Sequence, residues 1–295
     1  MKRILLLLIT NIAVLVSLGV VTSLVMMFVG APIEQLFGEY SYLIVWGFVY
    51  GLGAAIISLL MSKTIAKFST GAKVVDGREG EAERWLVATV DSLARQANLK
   101  TPEVAIYHGS ANAFATGAFR NSALVAVSDS IMAQMTKDEL RAVLGHEISH
   151  IANGDMVTLT LIQGVLNAFV IILSRVIAHV ISSAARGERR RDSNPFLYMA
   201  VVWVMDLALG IVASLIVFWF SRKREYAADA GSAKLLGSPV YMIAALRRLG
   251  NLQPGTLPDS LKAFGVTESK RTSIWATHPS LEDRIEALRN FTTSI

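Results

Sequence analysis

Four long apolar runs confine this chain to folds that keep much of its backbone inside a lipid bilayer. The first, Ile4 to Val29, carries no charge and exceeds the ~20 residues a helix needs to cross the hydrocarbon core. A cleavable signal peptide has a shorter apolar region and a small-residue cleavage site, so this run reads as a retained signal anchor. The second covers about 40–61, the third about 156–181, and the fourth about 196–220 with Asp206 interrupting it. Composition agrees: 53% of residues are hydrophobic and 17% charged, against ~25% charged in soluble domains.

The flanking charges orient the first hairpin. Lys2 and Arg3 precede it, Glu34 and Glu39 occupy its loop, and Lys63, Lys67 and Lys73 follow it. Basic residues stay on the cytoplasmic side, which puts the N-terminus and everything from residue 62 onward in the cytoplasm. The second hairpin is less clear. If it crosses, the loop holding Arg186 and Arg189-Arg190-Arg191 lies outside, against the positive-inside tendency, while Arg222-Lys223-Arg224 pulls the other way. Crossing is the expectation; a hairpin that dips into the membrane or lies against it is the alternative. The net charge of +5 is assigned to such loops rather than to a nucleic-acid partner, because no RRM, KH or zinc-finger pattern accompanies it. The absence of cysteine removes disulfides, thiolate ligands and a cysteine nucleophile.

Two polar stretches remain, 62–155 and 221–295. Leu86, Val90, Leu93 and Ala97 follow helical spacing and predict a helix over about 80–98. Extended segments are expected at Val104 to Tyr107 and Ala123 to Val127. Thr136-Lys137-Asp138-Glu139 is a capping-box pattern. The helix it opens carries Leu140, Val143, Leu144, Ile148 and Ile151, and Asn153-Gly154 would end it. Pro239 and Ser280 stand near further helix starts in the last stretch.

That capped helix contains His146-Glu147-Ile148-Ser149-His150. Positions i and i+4 share one helical face, so both imidazoles can hold one zinc ion with Glu147 beside them as general base. Zinc there lowers the pKa of a water to ~7 and polarises a scissile carbonyl. A surface helix with two histidines and a glutamate is the plain alternative. Against it, this trio on a face beside apolar residues is costly to bury without a metal. A catalytic zinc needs a third protein ligand. Glu225 and Asp229, again i and i+4, are the candidates: Glu225 for the metal, Asp229 to accept a hydrogen bond from a ligating histidine. A hairpin formed by the third and fourth runs returns the chain to the side it left, so the two pairs can meet. An exposed charge in a mixed cluster is the alternative for Glu225.

With these residues assembled, the chain resembles the M48 metallopeptidases, whose members include bacterial heat-shock membrane proteases and the CAAX prenyl proteases. The resemblance runs over the whole chain: two N-terminal membrane helices, HEISH, a second hydrophobic pair, and Glu225-Tyr226-Ala227-Ala228-Asp229. Asn112-Ala113-Phe114-Ala115-Thr116-Gly117 and Thr277-His278-Pro279 match as well. It implies one zinc ion per subunit on His146, His150 and Glu225, with Glu147 catalytic. It also implies proteolysis of misfolded or unfolded membrane polypeptides at the cytoplasmic face of a bacterial inner membrane.

The resemblance further places Asn112, Ala113 and Phe114 near the substrate, where an extended segment can take a peptide by β-addition; an ordinary core strand is equally compatible. His278 is a candidate hydrogen-bond donor to a reaction oxyanion, with Arg284 as a substitute; a helix-entry residue is the alternative for His278. His108 and His179 are assigned to structure, and Asp206 is expected to pair with Arg175 across the second hairpin. The expected fold is mainly α: about four transmembrane helices in two hairpins (1–61 and 156–220) and a zincin-like α+β domain with a small β-sheet, built from 62–155 and 221–295. A prenyl-protein endopeptidase would need a large enclosed cavity, for which four helices are few. A transporter would spread polar residues through the membrane runs, and a silent scaffold would not need an intact ligand set.

Overall fold

The computed structural model describes residues 16–28, 40–184, 195–251 and 278–291. The Glu34–Glu39 loop, the Arg186–Arg191 loop, Thr277 and the start of the first apolar run lie outside them. The described chain begins with α1 (Val16–Phe28). Next come α2 (Ser41–Phe48), a π-helical turn (Val49–Gly53) and α3 (Ala54–Thr70), which together make one rod of 30 residues. Then follow β1 (Lys73–Val75), α4 (Glu81–Gln96), β2 (Glu103–Tyr107), β3 (Ala113–Phe119), β4 (Ser122–Ser128) and α5 (Asp129–Gln134). The remaining helices are α6 (Lys137–Asn153), α7 (Asp155–Ala184), α8 (Pro195–Leu236), α9 (Val240–Asn251) and α10 (Leu281–Arg289).

The chain divides into two compact units, residues 1–58 with 160–217 and residues 59–159 with 218–295. Among the described residues, three helices are long and apolar enough to cross a membrane: Ser41–Thr70, Asp155–Ala184 and Pro195–Leu236. In the first unit their outer faces carry exposed apolar side chains such as Phe169, Trp203 and Leu207, as lipid contact requires. Small residues let the backbones approach: a Cβ on Gly51 would fall 2.3 Å from the Ala168 nitrogen, and one on Gly164 would fall 2.9 Å from the Ala55 Cβ. Arg175 and Asp206 pair at 2.9 Å, as expected from the sequence. Ser174 donates to the same carboxylate at 2.5 Å, and the guanidinium lies 5.2 Å from the Trp46 ring. A charge in lipid is thus neutralised within the unit. His179 stacks edge-on with Tyr40, and His108 meets Asp129.

Two of the rods outlast their apolar runs. The run ending near residue 61 continues as helix to Thr70, and the run ending near 220 continues to Leu236. Neither Ser62-Lys63-Thr64 nor Ser221-Arg222-Lys223 contains a breaker. The helices stop where Gly71 and Gly237 take positive φ. Hydropathy marks where lipid contact ends, whereas capping marks where a helix ends.

The second unit is a four-stranded sheet in the order β1-β2-β4-β3. β1 is antiparallel to β2, β2 parallel to β4, and β3 antiparallel to β4, which leaves β3 as a terminal strand. Leu86, Val90 and Leu93 of α4 pack with Val104, Val125, Leu144, Ile148, Met242 and Leu246 in one buried core. α6 begins at the Thr136–Glu139 capping box and ends with Gly154 in the left-handed region at φ 70°, both as the sequence indicates. Ser280 caps α10 by accepting from the Asp283 amide.

Candidate metal centre

The centre is made by two helices that pack at very short range. α6 presents Gly145 and Ser149, and α8 presents Gly231 and Ser232. A Cβ on Gly231 would fall 2.7 Å from the Ser149 Cβ, and one on Gly145 would fall 2.9 Å from the Ser232 Oγ. The hydroxyls are absorbed locally: Ser149 donates to the Gly145 carbonyl and Ser232 to that of Ala142, each at 2.7 Å. Larger side chains at these four positions would hold the helices apart.

One turn along from this seam the expected residues meet. His146, His150 and Glu225 each offer an atom within 4.8 Å of the others. The two Nε2 atoms are 3.0 Å apart. Glu225 lies 3.5 Å from Nε2 of His146 and 3.4 Å from Nε2 of His150. Asp229 lies 2.9 Å from Nδ1 of His146. Asp155, which the sequence reading did not single out, lies 2.6 Å from Nδ1 of His150. Both imidazoles can therefore donate through Nδ1, which leaves Nε2 as the atom that would face a metal.

A brace surrounds this set. Arg284 grips Asp229 with two bonds of 2.7 Å and reaches Glu225 at 3.3 Å. Arg224 donates to the Asp155 carbonyl at 2.6 Å. His278 is buried, with Nδ1 3.0 Å from Glu225 but not aligned for a hydrogen bond. Asn112 and Ala113 are buried at the entry to β3, whereas Phe114 joins Tyr107, Leu124 and Ala126 in a separate small core. Ala113 and Ala115 instead belong to the main core with α6. Strand alternation thus turns the Phe114 ring away from the centre.

The donor set fits a metal ion. Two neutral imidazoles with facing lone pairs at 3.0 Å repel unless a cation or protons lie between them. Glu147, fully buried, has neither carboxylate oxygen hydrogen-bonded among the described residues, which is rare for a buried charge and marks a place for a polar guest. The Ala115 amide of β3 faces that carboxylate without hydrogen-bond alignment. Burial pushes the Glu147 carboxyl up, and the Glu225 charge adds to it, against the pull of the two histidines. Burial also opposes charge on His150, yet the Asp155 and Glu225 carboxylates outweigh it and raise its pKa to about 10.

The peptidase family M48 matches residues 81–292. The chain belongs to peptidase family M48. A protease HtpX homolog of Verminephrobacter eiseniae is 51% identical over 295 residues, covering 98% of this chain and 99% of the relative. Another, from Neisseria meningitidis, is 52% identical over 292 residues, covering 98% and 100%. The crystal structure of S. mikatae Ste24p is similar in fold at 20% identity, with a TM-score of 0.53 over 96% of this chain; the chain spans 66% of that protein's length. With three helices long enough to cross a bilayer, this M48 member is a multi-pass membrane metalloprotease.

The raised His150 value has a measurable sign. Because the folded value exceeds the ordinary ~6.5 of an unfolded histidine, its contribution to stability is complete below about pH 6.5 and fades as pH rises through about 10. Thermal denaturation of the metal-free protein is expected to fall in temperature across that window, and His150→Gln should flatten the slope. A metal must displace the proton, so its affinity should climb with pH, up to about tenfold per unit for each proton released. Calorimetric titration with zinc between about pH 6 and 8 checks this; an affinity independent of pH would mean that His150 is already neutral.

Proposed function

We propose that the chain is a zinc endopeptidase that cuts unfolded or damaged membrane proteins at the cytoplasmic face of a bacterial inner membrane. The observation that carries this reading is the convergence of His146, His150 and Glu225 beside the buried carboxylate of Glu147, which has no hydrogen-bond partner among the described residues. His146, His150 and Glu225 would hold one zinc ion. When bound, zinc supplies Lewis acidity, lowering the pKa of a water and polarising a carbonyl. Glu147 accepts the proton of the attacking water and delivers it to the leaving amine nitrogen; its raised pKa suits that exchange. Asp229 and Asp155 hold the imidazoles in their ligating tautomer, and Arg284 holds Asp229. His278 donates to the developing oxyanion. The terminal position of β3 supports an extended peptide lying along Asn112–Gly117 by β-addition.

The relatives' printed names support a protease role of this kind. The likeness to Ste24p is one of fold and lends nothing to the prenyl-protein alternative. Purified protein should contain one zinc per chain. Chelation should stop its cleavage of unfolded casein, and added zinc should restore it. Undiminished cleavage by protein shown to be zinc-free would sink the reading.

Sidedness has its own test, because the chain has no native cysteine to label. A zinc site made from residues on both sides of the second hairpin needs them on one face of the membrane. Cysteines at Gln96 and Glu282, both exposed, should resist an impermeant thiol reagent in intact cells and react once the membrane is opened. One at Gln35 should react in intact cells. Labelling of Ser193→Cys from outside means that the second hairpin crosses; protection means that it returns without crossing. Opposite behaviour of Gln96→Cys and Glu282→Cys would refute the shared site.

A further inference from the structure

Next to the centre lies a recess that none of the roles above uses. It is partly open to solvent and adjoins His150. Thr116 and Ala123 of the β3–β4 hairpin, Ile151 of α6, and Met156 and Val157 of α7 form its walls, with Phe119 at its edge. Phe119 is 64% exposed. The hairpin is shaped to make the recess. Its register shifts between Thr116 and Phe119, and Gly117 adopts φ 142°. A Cβ there would fall 2.7 Å from the Ser122 carbonyl oxygen and 2.8 Å from the Ala123 Cα, so only glycine permits this bend. Bulges of this kind re-aim strands beside active sites.

The chemistry of the walls selects the guest. Arg120, which also lines the recess, is exposed, the surface inside is almost wholly apolar, and the Nδ1 of the adjoining His150 is already held by Asp155. A basic side chain entering would lose water and meet no counter-charge, only Arg120, whereas an apolar one would gain by burial. Direction follows from β3. Its Ala115 amide faces Glu147, and the strand runs on from there to Thr116 and Phe119. A peptide added antiparallel, the more stable pairing, would lay its amino-terminal part beside those later residues.

We propose that this recess is a substrate subsite, taking an apolar side chain from the amino-terminal side of the bond to be cut. The proposal rests on the zinc endopeptidase reading. It names what that enzyme would read: apolar side chains, which an unfolded membrane segment presents in quantity.

The test uses full-length, zinc-loaded protein in detergent and quenched-fluorescence peptides varied at the two residues on each side of the cleaved bond. Leucine or phenylalanine at one amino-side position should raise kcat/KM at least about tenfold over lysine, the scale at which apolar pockets discriminate. Ala123→Leu, which narrows the recess, should shift preference at that position alone toward alanine and glycine. Met156→Ala should shift it toward larger side chains. Zinc content should match the parent in both. Independently of turnover, a photoreactive leucine at that position of a peptide bound to Glu147→Gln should cross-link to Phe119, Ile151 or Met156. Equal loss on all peptides in both variants, a shift on the carboxyl side, or cross-links elsewhere would overturn the subsite. Those results would leave the zinc endopeptidase reading standing, because that reading falls only if zinc-free protein or Glu147→Gln cleaves at the parent rate.

Discussion

Glu147→Gln should abolish peptide cleavage while zinc content stays at the parent level. The carboxylate sits one residue from His146 on α6 and is fully buried, with neither oxygen hydrogen-bonded among the described residues. It takes no part in the set of atoms that converge on the metal position. Glutamine keeps the size and helix propensity of glutamate but cannot accept and return a proton. Positioned acid–base groups contribute about 10²–10⁴-fold to rate, so kcat should fall at least about 100-fold. Replacing a buried, unpaired carboxylate by a neutral amide also removes a charge held at a desolvation cost. The metal-free variant should therefore melt no lower than the metal-free parent. Thermal denaturation, zinc analysis and single-turnover cleavage together separate the outcomes. Parent-like cleavage would remove Glu147 from the chemistry, and loss of zinc would make it a structural residue instead.

The parts of this site that were legible in the sequence are those joined by local periodicity. His146 and His150 are one helical turn apart, and so are Glu225 and Asp229; each pair is readable as one face without a structure. The ends of α6 are equally local, set by Thr136 with Glu139 and by Gly154. Asp155 was invisible for a physical reason. It is five residues from His150, a spacing that shares no face on a continuous helix. Only the left-handed turn at Gly154 brings its carboxylate back to Nδ1. As the first residue of α7 it also has an ordinary explanation, an acidic side chain at a helix N-terminus. The grip of Arg284 on Asp229 spans 55 positions, and nothing in the pattern of either residue encodes it.

Strand assignments show the same division. β2 and β4 are apolar enough to be read from composition, and their parallel pairing is a tertiary fact. β1 is three residues long, Lys73-Val74-Val75, below any usable period. Phe114 stands inside the motif segment but packs in the far core with Tyr107. A motif specifies neighbours in the chain, and strand alternation sends alternate side chains to opposite faces.

The last expected result concerns the third ligand. Glu225→Ala should lose both zinc and activity, while Glu282→Ala, acidic and exposed on α10, should keep both. Among the described residues, Glu225 is the one carboxylate that bridges toward the Nε2 atoms of both histidines, at 3.5 and 3.4 Å. Its removal leaves two imidazole ligands, fewer than the three protein ligands of a catalytic zinc site. The loss in affinity should exceed the ~10–100-fold that follows from losing an outer hydrogen-bond partner, the effect expected of Asp155→Asn or Asp229→Asn. The alanine variant also strips Arg284 of a buried counter-charge, so misfolding is a competing cause. Glu225→Gln separates the two, because it keeps the shape and removes only the charge. A Glu225→Gln protein that elutes and melts like metal-free parent, yet binds no zinc after equilibrium dialysis, assigns the loss to coordination. Full zinc occupancy in either variant would take Glu225 out of the site and return the third position to Asp155, Asp229 or His278.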